Sequence, residues 1–185
     1  MTKKRIIAVF IMLIAGLSAF RIVSLNLKYP PSALEARKID ESIIYKDQFE
    51  ITVTKCAFMK NDMIESYFKD EIELGRDVKC LVVDITIKNI SDQAGQIEVN
   101  SFILETGAWG NAINLTAFLQ LNEDNDNVTL VPTLKAGEEI SMKLPFSMIS
   151  QHFKENQWGH VESREYFLTV NLYPVKQRIQ LYCGS

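Results

Sequence analysis

CLVVDITIKN, residues 80–89, decides the fold. Leu81, Val83, Ile85 and Ile87 alternate with Val82, Asp84, Thr86 and Lys88. Successive side chains of a strand point to opposite faces, so this spacing sets an apolar row on a core and a mostly polar row in water. The same period recurs on either side. FEITVTKCAF (49–58) puts Phe49, Ile51 and Val53 on one face, and EISMKLPF (139–146) does so with Ile140, Met142, Leu144 and Phe146. YFLTVNLY (166–173) and RIQLYC (178–183) repeat it through Leu168, Val170, Ile179 and Leu181.

Less regular runs lie between these strands. In GQIEVNSFILETG (95–107), Ile97 and Val99 share one parity while Phe102 and Leu104 share the other, which predicts a bulge or kink near Asn100-Ser101. VTLVP (128–132) reads as a short strand closed by Pro132. Pro145 inside a regular strand predicts an edge position or a bulge, because proline has no amide to donate. Polar breaks at 89–95, 135–139 and 173–177 supply the turns. Segments 59–77 and 147–158 read as helical or irregular insertions. A set of about seven such strands must bury its apolar faces on a second layer, which predicts an all-β antiparallel sandwich.

The chain begins differently. Lys3-Lys4-Arg5 precede the uncharged run Ile6–Phe20, and Ile22, Val23, Leu25 and Leu27 prolong it past Arg21. A basic start and a long apolar run predict an export signal whose positive end stays inside. A single transmembrane signal-anchor helix over residues 1–27 is expected, with a cleaved signal as the alternative. Leu17 before Ala19 suits cleavage poorly, and no cysteine near the run is available for lipid attachment. Residues 28–48, opened by Tyr29-Pro30-Pro31, read as a stalk in which Ser32 caps a short helix, and residues 49–185 as the folded domain. The domain is thereby expected outside the cytoplasm, on a membrane contacted through the N-terminal helix.

The order of these strands resembles the immunoglobulin-like extracytoplasmic domains of unknown function found in lipoproteins and membrane-anchored proteins of Gram-positive bacteria. Val83–Asn89 (VDITIKN), Phe102 with Leu104, and Ala136-Gly137-Glu138 before the Ile140 strand carry the resemblance, which covers about residues 49–183. It implies an immunoglobulin-like sandwich outside the membrane and no catalytic residues. The missing lipid-attachment cysteine means that here the helix itself would be the anchor.

Composition narrows the function. Net charge is -3, so there is no cationic excess to neutralise phosphates, and nucleic-acid binding is not expected. No GxSxG, HExxH, glycine-rich phosphate loop or CxxC occurs, and the two histidines, His152 and His160, lie in an insertion. No enzyme and no cofactor are expected. Three cysteines allow one internal bridge at most. Cys56 with Cys80 would staple the base of the 59–77 insertion, Cys183 would reach Cys56 if the first and last strands run side by side, and three unpaired thiols are the further alternative. The loop 122–127 (NEDNDN) offers Asp124 and Asp126 as oxygen ligands for calcium, without EF-hand spacing; a solvated loop tip is the alternative. Tyr67, Phe68, Trp109, Phe118, Phe153 and Trp158 fall in loops and insertions, where they either form a recognition surface or cover the ends of the core. The function expected is a non-enzymatic binding or accessory module for another envelope protein. The alternative is a sensor of calcium or a small ligand.

Overall fold

The computed structural model describes residues 3–125 and 127–183. The chain divides between Ala33 and Leu34 into two compact units. The first holds helix α1, Lys3–Lys28. Within it, Ile7–Lys28 forms 22 residues that are long and apolar enough to cross a membrane, against a need of about 20. From Ile7 onward its leucines, isoleucines and phenylalanines are exposed.

The second unit is a β-sandwich. Its elements in order are β1 (Ala33–Lys38), β2 (Ser42–Tyr45), β3 (Phe49–Phe58), α2 (Asn61–Tyr67), α3 (Lys69–Glu73), β4 (Val78–Asn89), β5 (Gly95–Gln96), β6 (Ile103–Thr106), β7 (Trp109–Ala112), α4 (Leu115–Leu121), β8 (Thr133–Leu134), β9 (Glu139–Ile149), α5 (Glu155–Trp158), β10 (Tyr166–Asn171) and β11 (Val175–Leu181). One sheet runs β1-β11-β10-β6-β7, the facing sheet β2-β3-β4-β9, and β5-β8 forms a small ribbon. The inner faces meet in one core that includes Phe49, Ile51, Leu81, Ile85, Phe102, Phe146, Tyr166 and Ile179.

The folded region starts earlier than Phe49. Residues 33–45, expected as stalk and short helix, form β1 and β2, and only residues 29–32 separate α1 from β1. Ile43 and Tyr45 are buried, yet a four-residue strand is too short to show its period in sequence. β1 shows almost none, being exposed along nearly its whole length. VTLVP is not a regular strand either. Val99 and Ile97 donate to Leu130 O and Pro132 O, and the ladder forms only at β8. The phase change near Asn100 is a 3-10 turn, Val99–Ser101. Insertion 59–77, expected as helical or irregular, holds α2 and α3, whereas β9 extends through Ile149 before the second insertion begins.

Pro145 does lie on an edge strand. β9 has β4 on one side only, and its free edge is covered by amide side chains. Asn111 Nδ2 donates to Ser147 O at 2.8 Å, and Asn114 N–H to Pro145 O at 2.8 Å. Asn122 donates to Lys143 O and accepts from Lys143 N–H, both at 3.0 Å. Residues 143, 145 and 147 turn their backbone groups to this edge, so the proline leaves no ladder donor missing. On the opposite side of the sandwich, Gln177 Nε2 reaches Ile44 O at 2.9 Å and Glu35 at 2.8 Å, linking β11 to β2.

At the end of β4, Asn89 is fully buried and saturated. Its Nδ2 donates to Gln93 O and Leu134 O, and its Oδ1 accepts from the Ser91 N–H and hydroxyl. Its backbone accepts from Gly137 N–H, in a turn where Gly137 has φ +76°, a conformation suited to glycine. These bonds fix the turn after β4 and the Ala136-Gly137-Glu138 turn before β9.

Candidate recognition surface

The insertion after β9 folds back across the start of β4. A 3-10 turn, Ser150–His152, begins when Ser150 N–H donates to Asp77 O at 3.0 Å. Val161 is fully buried, and the Tyr166 hydroxyl, inside the core, donates to Val161 O at 2.8 Å. The intervening segment is thus held at both ends and presents its aromatic side chains from a fixed frame.

Those side chains form a ladder. His152 lies 6.4 Å from Trp109, Trp109 5.5 Å from Phe153, and Phe153 5.6 Å from Trp158, measured between ring centroids. Trp109 comes from the start of β7 and joins through a turn with Gly107 at φ +55°. The three large rings press one side on the core and leave the other half-exposed. Two cations flank them: Lys79 Nζ is 5.2 Å from the Trp158 ring and Arg164 5.1 Å from the Phe153 ring. Lys79 also pairs with Glu162 at 2.9 Å, and Trp158 Nε1 donates to Asp77. Tilted aromatic pairs and cations over ring faces are favourable contacts, and tryptophan with arginine is the composition of binding hot spots.

The aromatic residues divide by burial. Phe68 and Phe118 are buried, and Tyr67 packs on a second small cluster with Ile64, Val78, Cys80 and Ala117. Trp109, Phe153 and Trp158 pack on the core and stay partly exposed. Asp77, Lys79 and Arg164 carried no signal in the sequence, since an isolated charge acquires meaning only from the ring it faces.

Of the cysteine arrangements expected, the Cys56–Cys80 bridge and the three unpaired thiols are not found, and the Cys56–Cys183 alternative is. Cys56 is bonded to Cys183, with their Cα atoms 5.0 Å apart, and Cys80 is a free thiol in the buried cluster under α2. A bulge between Val53 and Lys55 turns Cys56 inward opposite Val83, whereas Cys80 stands on the outer face opposite Ser147. Burial pushes the Cys80 thiol up to about 12.

The acidic loop offers less than its composition suggests. Asn122 is spent on β9, and Asn125 Oδ1 accepts from Asn127 N–H at 3.2 Å. Asp124 is exposed, and Asp126 lies outside the described residues. Among the described residues, no group of three His, Cys, Asp or Glu side chains could hold a metal ion. His160 is exposed in the turn before Val161.

A family model described as a domain of unknown function (DUF5028) matches residues 34–177. Comparison with curated proteins finds no match. Among solved structures, the chain is similar to a conserved hypothetical protein from Bacillus anthracis at 14% identity and TM-score 0.49, over 77% of this chain and 94% of that one. It is also similar to an uncharacterised β-sandwich protein from Clostridium difficile at 12% identity and TM-score 0.47, over 82% and 96% respectively. A functionally unknown protein from Listeria monocytogenes shares 12% identity at TM-score 0.46, over 78% and 82%.

Proposed function

This chain belongs to the DUF5028 family, whose description assigns no activity, and we propose from its own geometry that it is a non-enzymatic binding module tethered outside the cytoplasm. The half-exposed Trp109–Phe153–Trp158 ladder with Lys79 and Arg164 carries the proposal. Rings already fixed against a core lose little freedom on contact, and cations at their faces suit a partner with apolar and acidic groups. The partner is an envelope protein in or beside the same membrane.

The tether supports the placement. The Ile7–Lys28 part of α1 is apolar enough to cross a membrane, Lys3-Lys4-Arg5 stand at the start of the helix, and only residues 29–32 lead from it into the sandwich. The Cys56–Cys183 bridge suits an oxidising compartment. The resemblance to immunoglobulin-like extracytoplasmic domains agrees with both. Crosslinking the full chain in intact membranes and purifying it tests the reading. One dominant partner is expected, lost in Trp158→Ser/Arg164→Ala while circular dichroism is unchanged. Recovery of the chain alone, or a partner retained by that folded variant, contradicts it.

A further inference from the structure

The outer face of the four-stranded sheet is mostly open and polar near Thr86 and Ser141, whose hydroxyls lie 3.1 Å apart, and is covered by helices at its other end. Between these regions lies a groove of about 410 Å³. This is within the size of small-molecule sites, about 300–1,000 Å³. Register defines its floor as two cross-strand sets, Lys55–Asp84–Lys143 and Ala57–Val82. The second set is hollow because Ala57 contributes only a methyl group. Met63 from α2 and Leu121 from the end of α4 also line it.

Two features separate this groove from an ordinary surface depression. First, apolar and cationic groups stand side by side on its floor: Ala57 and Val82 form one cross-strand pair, and Lys55 and Lys143 flank Asp84 in the next. Second, it is cationic in a chain of net charge -3: Lys55, Lys60 and Lys143 line it against Asp62 and Asp84. Among the described residues, none of the three lysines is in an ion pair. Met59 and Met63 supply unbranched side chains that adapt to an inserted apolar body.

We propose that this groove binds a small anionic amphiphile, its apolar body on Ala57 and Val82 with Met63 and Leu121, its anionic head at Lys55 and Lys143. The site is separate from the aromatic ladder and does not depend on the function proposed above. Asp84, between the two lysines, offsets part of their charge and disfavours a dianion.

The test uses the full chain in lipid nanodiscs, labelled with 13C at the methionine methyls and titrated with octanoate, 1-octanol and octylamine. The Met59 and Met63 signals should shift saturably with octanoate at a Kd under about 1 mM, with the core Met142 unmoved. 1-Octanol and octylamine should bind at least about tenfold more weakly. Lys55→Met/Lys143→Met should abolish that preference, and Ala57→Leu, which fills the hollow, should abolish binding with an unchanged Met142 signal. Equal binding of octanoate and octanol, no saturable shift at Met59 and Met63, or full binding by folded Ala57→Leu would overturn the proposal.

Discussion

Cys56 and Cys80 stand on opposite faces of one sheet. The extra residue Thr54 in the β3 bulge reverses the strand's facing, so Cys56 enters the core opposite Val83, while Cys80 sits under α2. The last strand belongs to the other sheet, and the chain beyond β11 brings Cys183 across the core's edge to Cys56. Peptide mapping without reductant should recover a Cys56–Cys183 link. Cys56→Ser, Cys183→Ser and the double variant should each lose about 2–4 kcal/mol in denaturant unfolding. Cys80, with its thiol held near 12, should react with iodoacetamide only after unfolding.

Asn89 should rank among the most sensitive polar positions. Asn89→Leu leaves the Leu134 and Gln93 carbonyls and the Ser91 donors without their partner. Unpaired buried groups of this kind predict a loss of about 2–4 kcal/mol in urea unfolding. Asp92→Ala, on the exposed side of the same turn, should change stability by less than about 0.5 kcal/mol.

Asn122 protects an edge. Asn122→Ala uncovers the backbone N–H and C=O of Lys143 on β9. A bare edge strand is a template for pairing with another chain. The variant should lose about 1–2 kcal/mol and show concentration-dependent association by sedimentation, where the parent chain does not.

Glu105 gives a pH signature. Partial burial pushes its carboxyl up, but the Lys176 ammonium, the Thr169 hydroxyl and the Arg178 charge outweigh this and hold it below its ordinary value. A depressed native pKa adds stability that is fully present above the unfolded value, about 4.3. The advantage of the parent over Glu105→Gln should therefore hold at pH 7, shrink as pH falls below that value, and vanish once pH drops through the lower native one.

The long strands were legible because their period persists over many residues: β3, β4, β9, β10 and β11 all show it. The edge assignment of Pro145 followed from its missing amide. β1 and β2 were hidden because one is exposed along nearly its whole length and the other has only Ile43 and Tyr45 to show. The facing of Cys56 depended on a single bulged residue, which alternation over FEITVT does not disclose. The aromatic ladder was half visible. Trp109, Phe153 and Trp158 stood out as loop aromatics, but Lys79 and Arg164 joined them only through tertiary contact.

The central claim is that the Trp109–Phe153–Trp158 face meets a partner at the membrane. The most direct measurement places a benzophenone amino acid at position 153 or at the exposed position 88, near the far end of β4, and irradiates intact cells. The account predicts a discrete crosslinked product with another envelope protein from position 153 and none from position 88. Equal yields from the two positions, or products from position 153 containing only this chain, would contradict it.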